Sequence, residues 1–149
     1  MQSMTPSITT AEAKARLRGE IRARLASLSE EERRVQDAAL CSAFLALPQV
    51  EQARTLFLFY GVGMEPDTAQ LLAPLMARGK RVVLPRLLPG RQMDARLYDP
   101  AIPLVPHRFG LMEPSLSCTQ VPTEEIDLVL VPAMCYDRRC YRLGLGGGF

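Results

Sequence analysis

The last eight residues of the chain, Arg-Leu-Gly-Leu-Gly-Gly-Gly-Phe at positions 142–149, constrain its fold more than any other stretch. Four of the ten glycines lie here, directly after an arginine. A run with so few side chains contributes little to a hydrophobic core, but its bare N–H groups can approach phosphate oxygens where a Cβ would obstruct them. The run therefore predicts an anion-binding loop.

Residues 125–132 (Glu-Ile-Asp-Leu-Val-Leu-Val-Pro) precede this loop and are typical of a buried β-strand. A strand that delivers a glycine loop at its carboxyl end is the usual arrangement of a nucleotide or phosphate site in an open α/β sheet. No Lys-Ser/Thr pair follows the last glycine, so this is not a Walker A motif, and the glycine spacing also differs from G-x-G-x-x-G. The sequence indicates an anion cradle without identifying the anion.

Two helices are predicted at the N-terminal end. Thr9 with Glu12 and Ser29 with Glu32 have the spacing of capping boxes, and the second helix is expected to run to about Leu47, before a proline. We expect the two helices to form a hairpin that lies against a later sheet. One apolar face of the first helix consists of Leu17, Ile21, Leu25 and Leu28.

A basic stripe, Lys14, Arg18 and Arg22, recurs at every fourth position of the first helix. It is either a solvated face or a means for Lys14 and Arg18 to reach an anion bound elsewhere in the domain. A third interpretation is contact with nucleic acid. The chain's formal charge is only +2, with 18 basic and 16 acidic residues, which argues against a polyanionic partner.

The middle of the chain predicts a βαβ unit. Residues 55–60 and 81–85 are typical of buried strands, and the intervening helix, over 69–78, has Asp67 or Thr68 as its N-cap and Gly79 as its end. Such a unit pairs its strands in parallel. With 149 residues and 48% hydrophobic content, we predict one α/β domain over 1–149. It would be an open, mostly parallel sheet of the Rossmann-like three-layer type with the N-terminal helical hairpin packed on it.

Residues 86–124 contain six prolines and are predicted to be irregular apart from a short strand over 95–98. The stretch could be a linker, but its length inside a small domain favours the wall of a binding site. Glu65 follows the first strand at the rim of the sheet and either binds a ligand or suits a helix dipole. His107 has no serine or cysteine partner in a nucleophile-like setting.

The cysteine content and the apolar runs of the sequence indicate which metal sites and which cellular compartment to expect. The four cysteines, Cys41, Cys118, Cys135 and Cys140, lack metal-site spacing, and with one histidine we predict reduced thiols and no zinc. Met1 to Thr10 lacks the apolar region of a signal peptide, and no apolar run approaches the ~20 residues that span a bilayer. We therefore expect a soluble, cytoplasmic protein.

Several segments together resemble a known family. They are residues 14–18 (Lys-Ala-Arg-Leu-Arg), 65–68 (Glu-Pro-Asp-Thr), 79–85, Gly110 with Glu113 and Pro114, 126–132 and the glycine-rich residues 142–149. In this order and spacing the whole chain resembles 5-formyltetrahydrofolate cyclo-ligase, also called methenyltetrahydrofolate synthetase.

The resemblance implies a ligase that uses ATP and Mg²⁺ to convert 5-formyltetrahydrofolate into 5,10-methenyltetrahydrofolate, releasing ADP and phosphate. In the family's mechanism the formyl oxygen takes the γ-phosphoryl group, N10 attacks the activated carbon, and phosphate leaves. The implied partners are a reduced folate and ATP, with no nucleic acid and no membrane, and the implied state is a monomer.

The resemblance also assigns roles to residues, with Arg142 as the catalytic group. The nucleotide-binding set that it implies is Lys14, Arg18, Arg142, Leu143, Gly144, Leu145, Gly146, Gly147, Gly148 and Phe149. The folate-binding set is Tyr60 as a pocket wall, Glu65 toward the pterin, and Leu145, Gly146, Gly147, Gly148 and Phe149.

The chain departs from the family pattern after Phe149. The family continues with a tyrosine and a magnesium-binding aspartate, and then with a segment that supplies a second metal-binding aspartate. Cys140 and Ala133 also stand where a glycine and Pro-Gly are common. We therefore expect a family member truncated at its C-terminus, without protein metal ligands, in which ATP and water hold Mg²⁺. The alternative function is an impaired member that only binds folate or nucleotide.

Overall fold

The computed structural model describes residues 8–149, so residues 1–7 of the segment considered for a signal peptide lie outside the described residues. The helices are α1 (Thr10–Ala26), α2 (Glu30–Leu45), α3 (Pro48–Gln52) and α4 (Leu72–Ala77), with short 3₁₀ turns at Thr68–Leu71, Pro89–Arg91 and Thr123–Glu125. The strands are β1 (Thr55–Phe57), β2 (Arg81–Leu88), β3 (Gln92–Leu97), β4 (Val105–Pro106), β5 (Met112–Glu113), β6 (Leu128–Val129), β7 (Cys135–Tyr136) and β8 (Arg142–Leu143). None of the helices within 8–149 is long and apolar enough to cross a membrane.

The main sheet has four strands in the order β3-β2-β1-β6. Strand β1 pairs in parallel with both β2 and β6, while β3 is antiparallel to β2. The predicted α/β class with a mostly parallel sheet is therefore confirmed, and the β1–α4–β2 unit has the predicted parallel pairing.

Side chains of the central strands point alternately to the two faces of the sheet and form two hydrophobic clusters. One contains Leu56, Leu58, Val82 and Leu84 together with residues of α2, α3 and α4, and the other contains Val83, Ala95 and Val121. Each fully buried leucine or valine contributes roughly 1.5–3 kcal/mol of transfer free energy. Successive residues of β2 point to opposite faces, as the pleat requires.

Both predicted capping boxes are present. The Thr9 hydroxyl accepts a hydrogen bond from the Glu12 N–H, and the Glu12 carboxylate accepts one of 2.8 Å from the Thr9 N–H; Ser29 and Glu32 repeat the arrangement. Helix α2 ends at Leu45, two residues before the predicted end. Pro48 does not merely stop a helix, because it begins the short helix α3, where its fixed φ suits the first position.

Only the second helix of the predicted hairpin buries side chains in the core. In α2, Cys41 is buried, and Phe44 and Leu45 pack against the first cluster. Helix α1 buries no residue, and Leu17 of its predicted apolar face is 40% exposed. The apolar spacing in α1 therefore predicted the helix correctly but not the extent of its burial.

The predicted strand over 55–60 is shorter than expected: β1 ends at Phe57, and the residues after it are held by Thr68. The Thr68 hydroxyl accepts a hydrogen bond of 2.9 Å from the Gly61 N–H and donates one of 2.6 Å to the Phe59 carbonyl. Thr68 thus fixes the loop after β1 and is not an N-cap. Asp67 stands at the N-cap position of the 3₁₀ turn, as predicted, but its side chain accepts no capping bond from the backbone. Gly79 ends the helical segment at φ +73°, as predicted.

Residues 86–124 are more ordered than predicted. Strand β2 continues to Leu88 and forms a hairpin with β3, which contains most of the predicted strand over 95–98. The remaining stretch is tied to this hairpin by buried Glu113, whose carboxylate accepts a 2.7 Å bond from the Leu87 N–H and lies 3.7 Å from Arg86. The strand predicted over 125–132 is only the two residues of β6, held beside β1 by Asp127, which accepts bonds from two backbone N–H groups.

Candidate ligand site at the glycine segment

A separate hairpin carries the glycine-rich residues 144–149, here called the glycine segment. Strands β7 and β8 pair antiparallel, and the Asp137 carboxylate closes their turn by accepting bonds from the N–H groups of Arg139 (2.8 Å) and Tyr141 (3.1 Å). The prediction that the strand over 125–132 delivers the glycines directly is therefore wrong, because the β7–β8 hairpin lies between them. Leu143 is buried, whereas Leu145 and Phe149 beyond it are exposed.

The glycines of the segment are required by its backbone. Gly146 and Gly148 have φ of +106° and +76°, a region that residues with a Cβ adopt only with strain. A Cβ on Gly147 would lie 3.3 Å from the ring of Phe149. Glycines therefore occupy the positive-φ positions of the segment, and residues 145–149 are all exposed.

Arg18 of α1 contacts the glycine segment. Its Nε donates a 2.9 Å hydrogen bond to the Gly144 carbonyl, and its guanidinium carbon lies 3.7 Å from where a Cβ of Gly146 would stand. Of the basic stripe, Lys14 is exposed one turn before Arg18, whereas Arg22 lines a groove that Glu65 and Leu145 also border. The stripe is therefore not one uniform face, because its three charges have different surroundings.

Arg142 lies at the start of the segment with an exposed side chain. Its Nη1 makes a long 3.4 Å bond to the Pro132 carbonyl and lies 3.7 Å from the Cβ position of Gly144. Within residues 8–149, neither Arg18 nor Arg142 has a carboxylate within 4.0 Å. Two guanidinium groups without a counter-ion thus flank the same glycine.

A third arginine at the segment was not found from the sequence. Arg91, at the tip of the β2–β3 hairpin, has its Nη1 3.2 Å from the Cβ position of Gly148. The prediction that residues 86–124 are mostly irregular concealed the length of the hairpin. Recognising the long hairpin would have placed Arg91 at its tip, though not beside Gly148.

An apolar cavity of about 280 Å³ lies beside the glycine segment, at the carboxyl ends of β1 and β6. Tyr60, Glu65 and Phe149 line it together, along with Met93 and Val131. The structure therefore brings three predicted folate-binding residues to one cavity, although they are up to 89 positions apart in the sequence. The aromatic and aliphatic walls suit a flat, partly apolar ligand.

Glu65 supplies a carboxylate to this cavity. Its Oε2 accepts a 3.0 Å hydrogen bond from the Val62 N–H, and burial raises the pKa of the carboxyl group above its ordinary value. Glu65 precedes the 3₁₀ turn that begins at Thr68 and lies in no helix, so the helix-dipole alternative fails. It also borders a larger groove of about 690 Å³ that includes Arg22, Phe109 and Leu145.

The remaining candidates lie in other settings. His107 is in the β4–β5 turn, where its Nδ1 accepts a 3.2 Å bond from the Phe109 N–H and its ring packs 4.9 Å from that of Phe109. All four cysteines are free thiols. In the described part of the chain, no three His, Cys, Asp or Glu side chains cluster in a way that could hold a metal ion.

Known proteins with similar sequences share one description. A family model described as the 5-formyltetrahydrofolate cyclo-ligase family matches residues 10–149. The 5-formyltetrahydrofolate cyclo-ligase of Haemophilus influenzae is 31% identical over 136 residues, which cover 89% of this chain and 73% of that protein. The Escherichia coli K12 enzyme of the same name is 33% identical over 132 residues, covering 87% and 72% of the two chains.

The fold has a similar solved structure. The 5,10-methenyltetrahydrofolate synthetase of Aquifex aeolicus, solved by NMR, superimposes with a TM-score of 0.77 and 30% sequence identity. The match covers 89% of this chain and 67% of that one.

Proposed function

This chain belongs to the 5-formyltetrahydrofolate cyclo-ligase family, and from that premise we propose that it closes the ring of 5-formyltetrahydrofolate. The reaction consumes ATP and yields 5,10-methenyltetrahydrofolate, ADP and phosphate. The observation that carries the proposal is the adjacency of a cationic glycine segment and an apolar cavity, joined at Phe149. In this proposal the glycine segment holds the phosphates and the apolar cavity holds the pterin.

The pterin is proposed to bind in the cavity, between Tyr60 and Phe149. Its N–H groups would donate to the Glu65 carboxylate, which is already oriented by the Val62 N–H. An ionised carboxylate in a half-buried site forms strong charge-assisted hydrogen bonds with such donors. Glu65 is therefore the orienting group, and the aromatic side chains provide the contact area.

The phosphates of ATP are proposed to bind along the glycine segment. Arg18 and Arg142 supply charge, Lys14 extends it by one helical turn, and the exposed N–H groups of Gly146 to Gly148 supply neutral donors. Phosphoryl transfer needs mainly alignment and neutralisation of charge, which these groups offer. Arg142 is the proposed catalytic residue of this set.

The reaction then proceeds in two steps. The formyl oxygen attacks the γ-phosphorus, the bond to the β–γ bridging oxygen breaks, and ADP takes the electron pair. N10 next attacks the activated formyl carbon, loses its proton, and phosphate leaves with the former formyl oxygen. The chain's own contribution is to hold the two substrates in line and to exclude water through the apolar walls.

The described residues do not fit a protein site for Mg²⁺. Mg²⁺ usually retains waters and binds substrate phosphates through few protein carboxylates. We propose that it arrives as the ATP complex, and no role given above to a residue depends on it. We further propose that residues 10–149 act as one domain, in a cytoplasmic monomer.

The same absence of clustered metal donors within 8–149 favours one rival, a protein that binds folate or nucleotide without turnover. The decisive experiment incubates purified protein with 5-formyltetrahydrofolate, ATP and Mg²⁺ and follows the absorbance of methenyltetrahydrofolate, with ATP omitted as the control. ATP-dependent product supports the ligase. Calorimetric binding of folate without product supports the rival, and binding of neither substrate to folded protein would refute both.

A further inference from the structure

Arg91 has a backbone conformation that a glycine would adopt at lower energy. Its φ is +60°, and the preceding Gly90 has φ +74°. A non-glycine residue in this region is uncommon, and such residues are concentrated at functional sites. At the tip of an exposed hairpin, glycine would satisfy the turn equally well, so the turn itself does not account for an arginine there.

The charge of Arg91 has no partner in the described residues, unlike the other arginines of its hairpin. Arg86 lies 3.7 Å from the Glu113 carboxylate, and Arg96 lies 2.9 Å from that of Asp94. Over residues 8–149, no ion pair or side-chain hydrogen bond engages Arg91. Instead its guanidinium lies against Gly148, where no side chain separates it from the backbone.

The position of Arg91 is between the two proposed subsites. Gly148 is followed by Phe149, whose ring lines the apolar cavity, and Met93 of the same hairpin lines that cavity as well. Arg18 contacts the opposite end of the segment, at Gly144 and Gly146. A ligand group near Arg91 would therefore lie beyond the nucleotide-binding end and next to the folate.

We propose that Arg91 is a catalytic residue that contacts the phosphoryl group while it moves from ATP to the formyl oxygen. This inference rests on the proposed function. The phosphorus loses its bond to the bridging oxygen of ADP and gains one to the formyl oxygen, and Arg91 stays protonated throughout. Its N–H groups donate to the equatorial phosphoryl oxygens, whose charge must be neutralised in the transition state.

A carboxylate of the folate tail presents the same anionic oxygens, so the experiment must separate the two sources. The variant is Arg91→Gly, which removes the guanidinium and suits a φ of +60°. Arg138→Ala, another exposed turn arginine with the same change in charge, is the matched control. Thermal unfolding should show Arg91→Gly to be at least as stable as the parent protein, which separates loss of function from loss of fold.

Binding is then measured by calorimetry with four probes: the β,γ-imido analogue of ATP, ADP, 5-formyltetrahydrofolate and 5-formyltetrahydropterin, which lacks the tail. Arg91→Gly should weaken the ATP analogue roughly 10- to 100-fold, as expected for lost charged hydrogen bonds, and leave ADP unchanged. It should slow single-turnover formation of ADP by about 100-fold or more. Arg138→Ala should change neither.

Four results would overturn the inference. Unchanged binding of the ATP analogue, or equal losses for the analogue and ADP, would place Arg91 away from the terminal phosphoryl group. Weaker binding of the folate, with that of the tail-less pterin unchanged, would assign it to a carboxylate. Failure of the unsubstituted parent protein to bind nucleotide would refute the proposed function together with the inference. This outcome is distinguishable from the others because it is seen without any variant.

Discussion

The Arg18 side chain and the Gly144 carbonyl, 126 positions apart, are joined by a 2.9 Å hydrogen bond from Nε. This bond occupies one edge of the guanidinium, while the other N–H groups remain available to a ligand. It therefore connects the position of helix α1 to the conformation of the glycine segment. Substitutions of Arg18 can therefore separate its binding of a ligand from its orientation of the glycine segment.

Arg18→Ala is expected to weaken ATP binding roughly 10- to 100-fold, because it removes a charged donor from the site. Arg18→Gln retains an N–H group that can reach the Gly144 carbonyl but has no charge, so its loss should be smaller. Titration calorimetry with ATP measures both. Equal losses in the two variants would show that the charge accounts for the whole effect and that the bond to Gly144 contributes nothing. Parent-like binding by Arg18→Gln would show instead that Arg18 acts only by positioning the segment.

Arg142→Ala should weaken ATP binding far more than Arg22→Ala, although both remove one exposed positive charge. Arg142 flanks Gly144, whereas Arg22 lies one helical turn beyond Arg18, in the groove beside α2 that it shares with Leu145. The ratio of the two dissociation constants is the measurement. Similar effects would mean that only the overall charge of the protein matters, and the assignment of Arg142 to the site would be rejected.

Gly146→Ala should destabilise the glycine segment by about 1–2 kcal/mol, since φ is +106° there. We expect a large loss of ATP affinity with little change in global unfolding, because the segment is exposed. Gly144→Ala is the control, since the nearest atom to its added Cβ is the Arg142 Nη1 at 3.7 Å. If both variants bind ATP like the parent, the segment is not the phosphate site.

The pKa of Glu65 is raised chiefly by burial, so protonation of its carboxyl group favours the folded state. Its favourable contribution is complete below the unfolded pKa of about 4.3 and is lost as pH rises through the higher folded pKa. Glu65→Gln should therefore gain stability relative to the parent protein between acidic and neutral pH. Urea unfolding across this range tests the sign, and a constant difference would contradict it.

Binding should respond to Glu65 in the opposite direction. The ionised carboxylate is the stronger acceptor for pterin N–H groups, so folate affinity of the parent protein should rise with pH through the raised pKa. Glu65→Gln should bind folate more weakly and show a flatter profile. A variant that keeps the parent's slope would assign the titration to another group.

Cys140 is a strained residue whose replacement should stabilise the β7–β8 turn. Its φ is +66°, and its side chain is exposed. Cys140→Gly should add about 1 kcal/mol, a relief of 1–2 kcal/mol reduced by the greater freedom of glycine in the unfolded chain. Cys140→Ala removes the thiol but keeps the strain, so denaturant unfolding should show no gain. A gain in both variants would point to the thiol instead.

The sequence predicted the elements whose causes are local and missed those fixed by tertiary contacts. The capping boxes and the glycine at position 79 act within a few residues, and the structure confirms them. The role of Thr68 depends on the loop after β1 folding back onto it, which no periodicity reveals. The proximity of Arg91 and Gly148 likewise depends on a tertiary contact that no periodicity reveals.

The candidate site shows the same division. Tyr60, Glu65 and Phe149 could be named as one group because the family resemblance supplied their association, and the cavity brings them together. The sequence could not show that a hairpin intervenes between β6 and the glycines, because two-residue strands have too little pattern to be recognised. It also overestimated the burial of α1, whose spacing of leucines is equally compatible with a partly exposed helix.

The absence of buried side chains in α1 has a consequence for motion. Helix α2 is anchored by Cys41 in the core, whereas α1 has a direct hydrogen bond to the glycine segment through Arg18. Elements with few buried contacts open at low free energy, so amides of α1 should exchange with deuterium much faster than those of α2. An anion bound between Arg18 and the glycines would slow exchange in α1 and in the glycine segment but not in α2, which makes α1 a reporter of occupancy that requires no turnover.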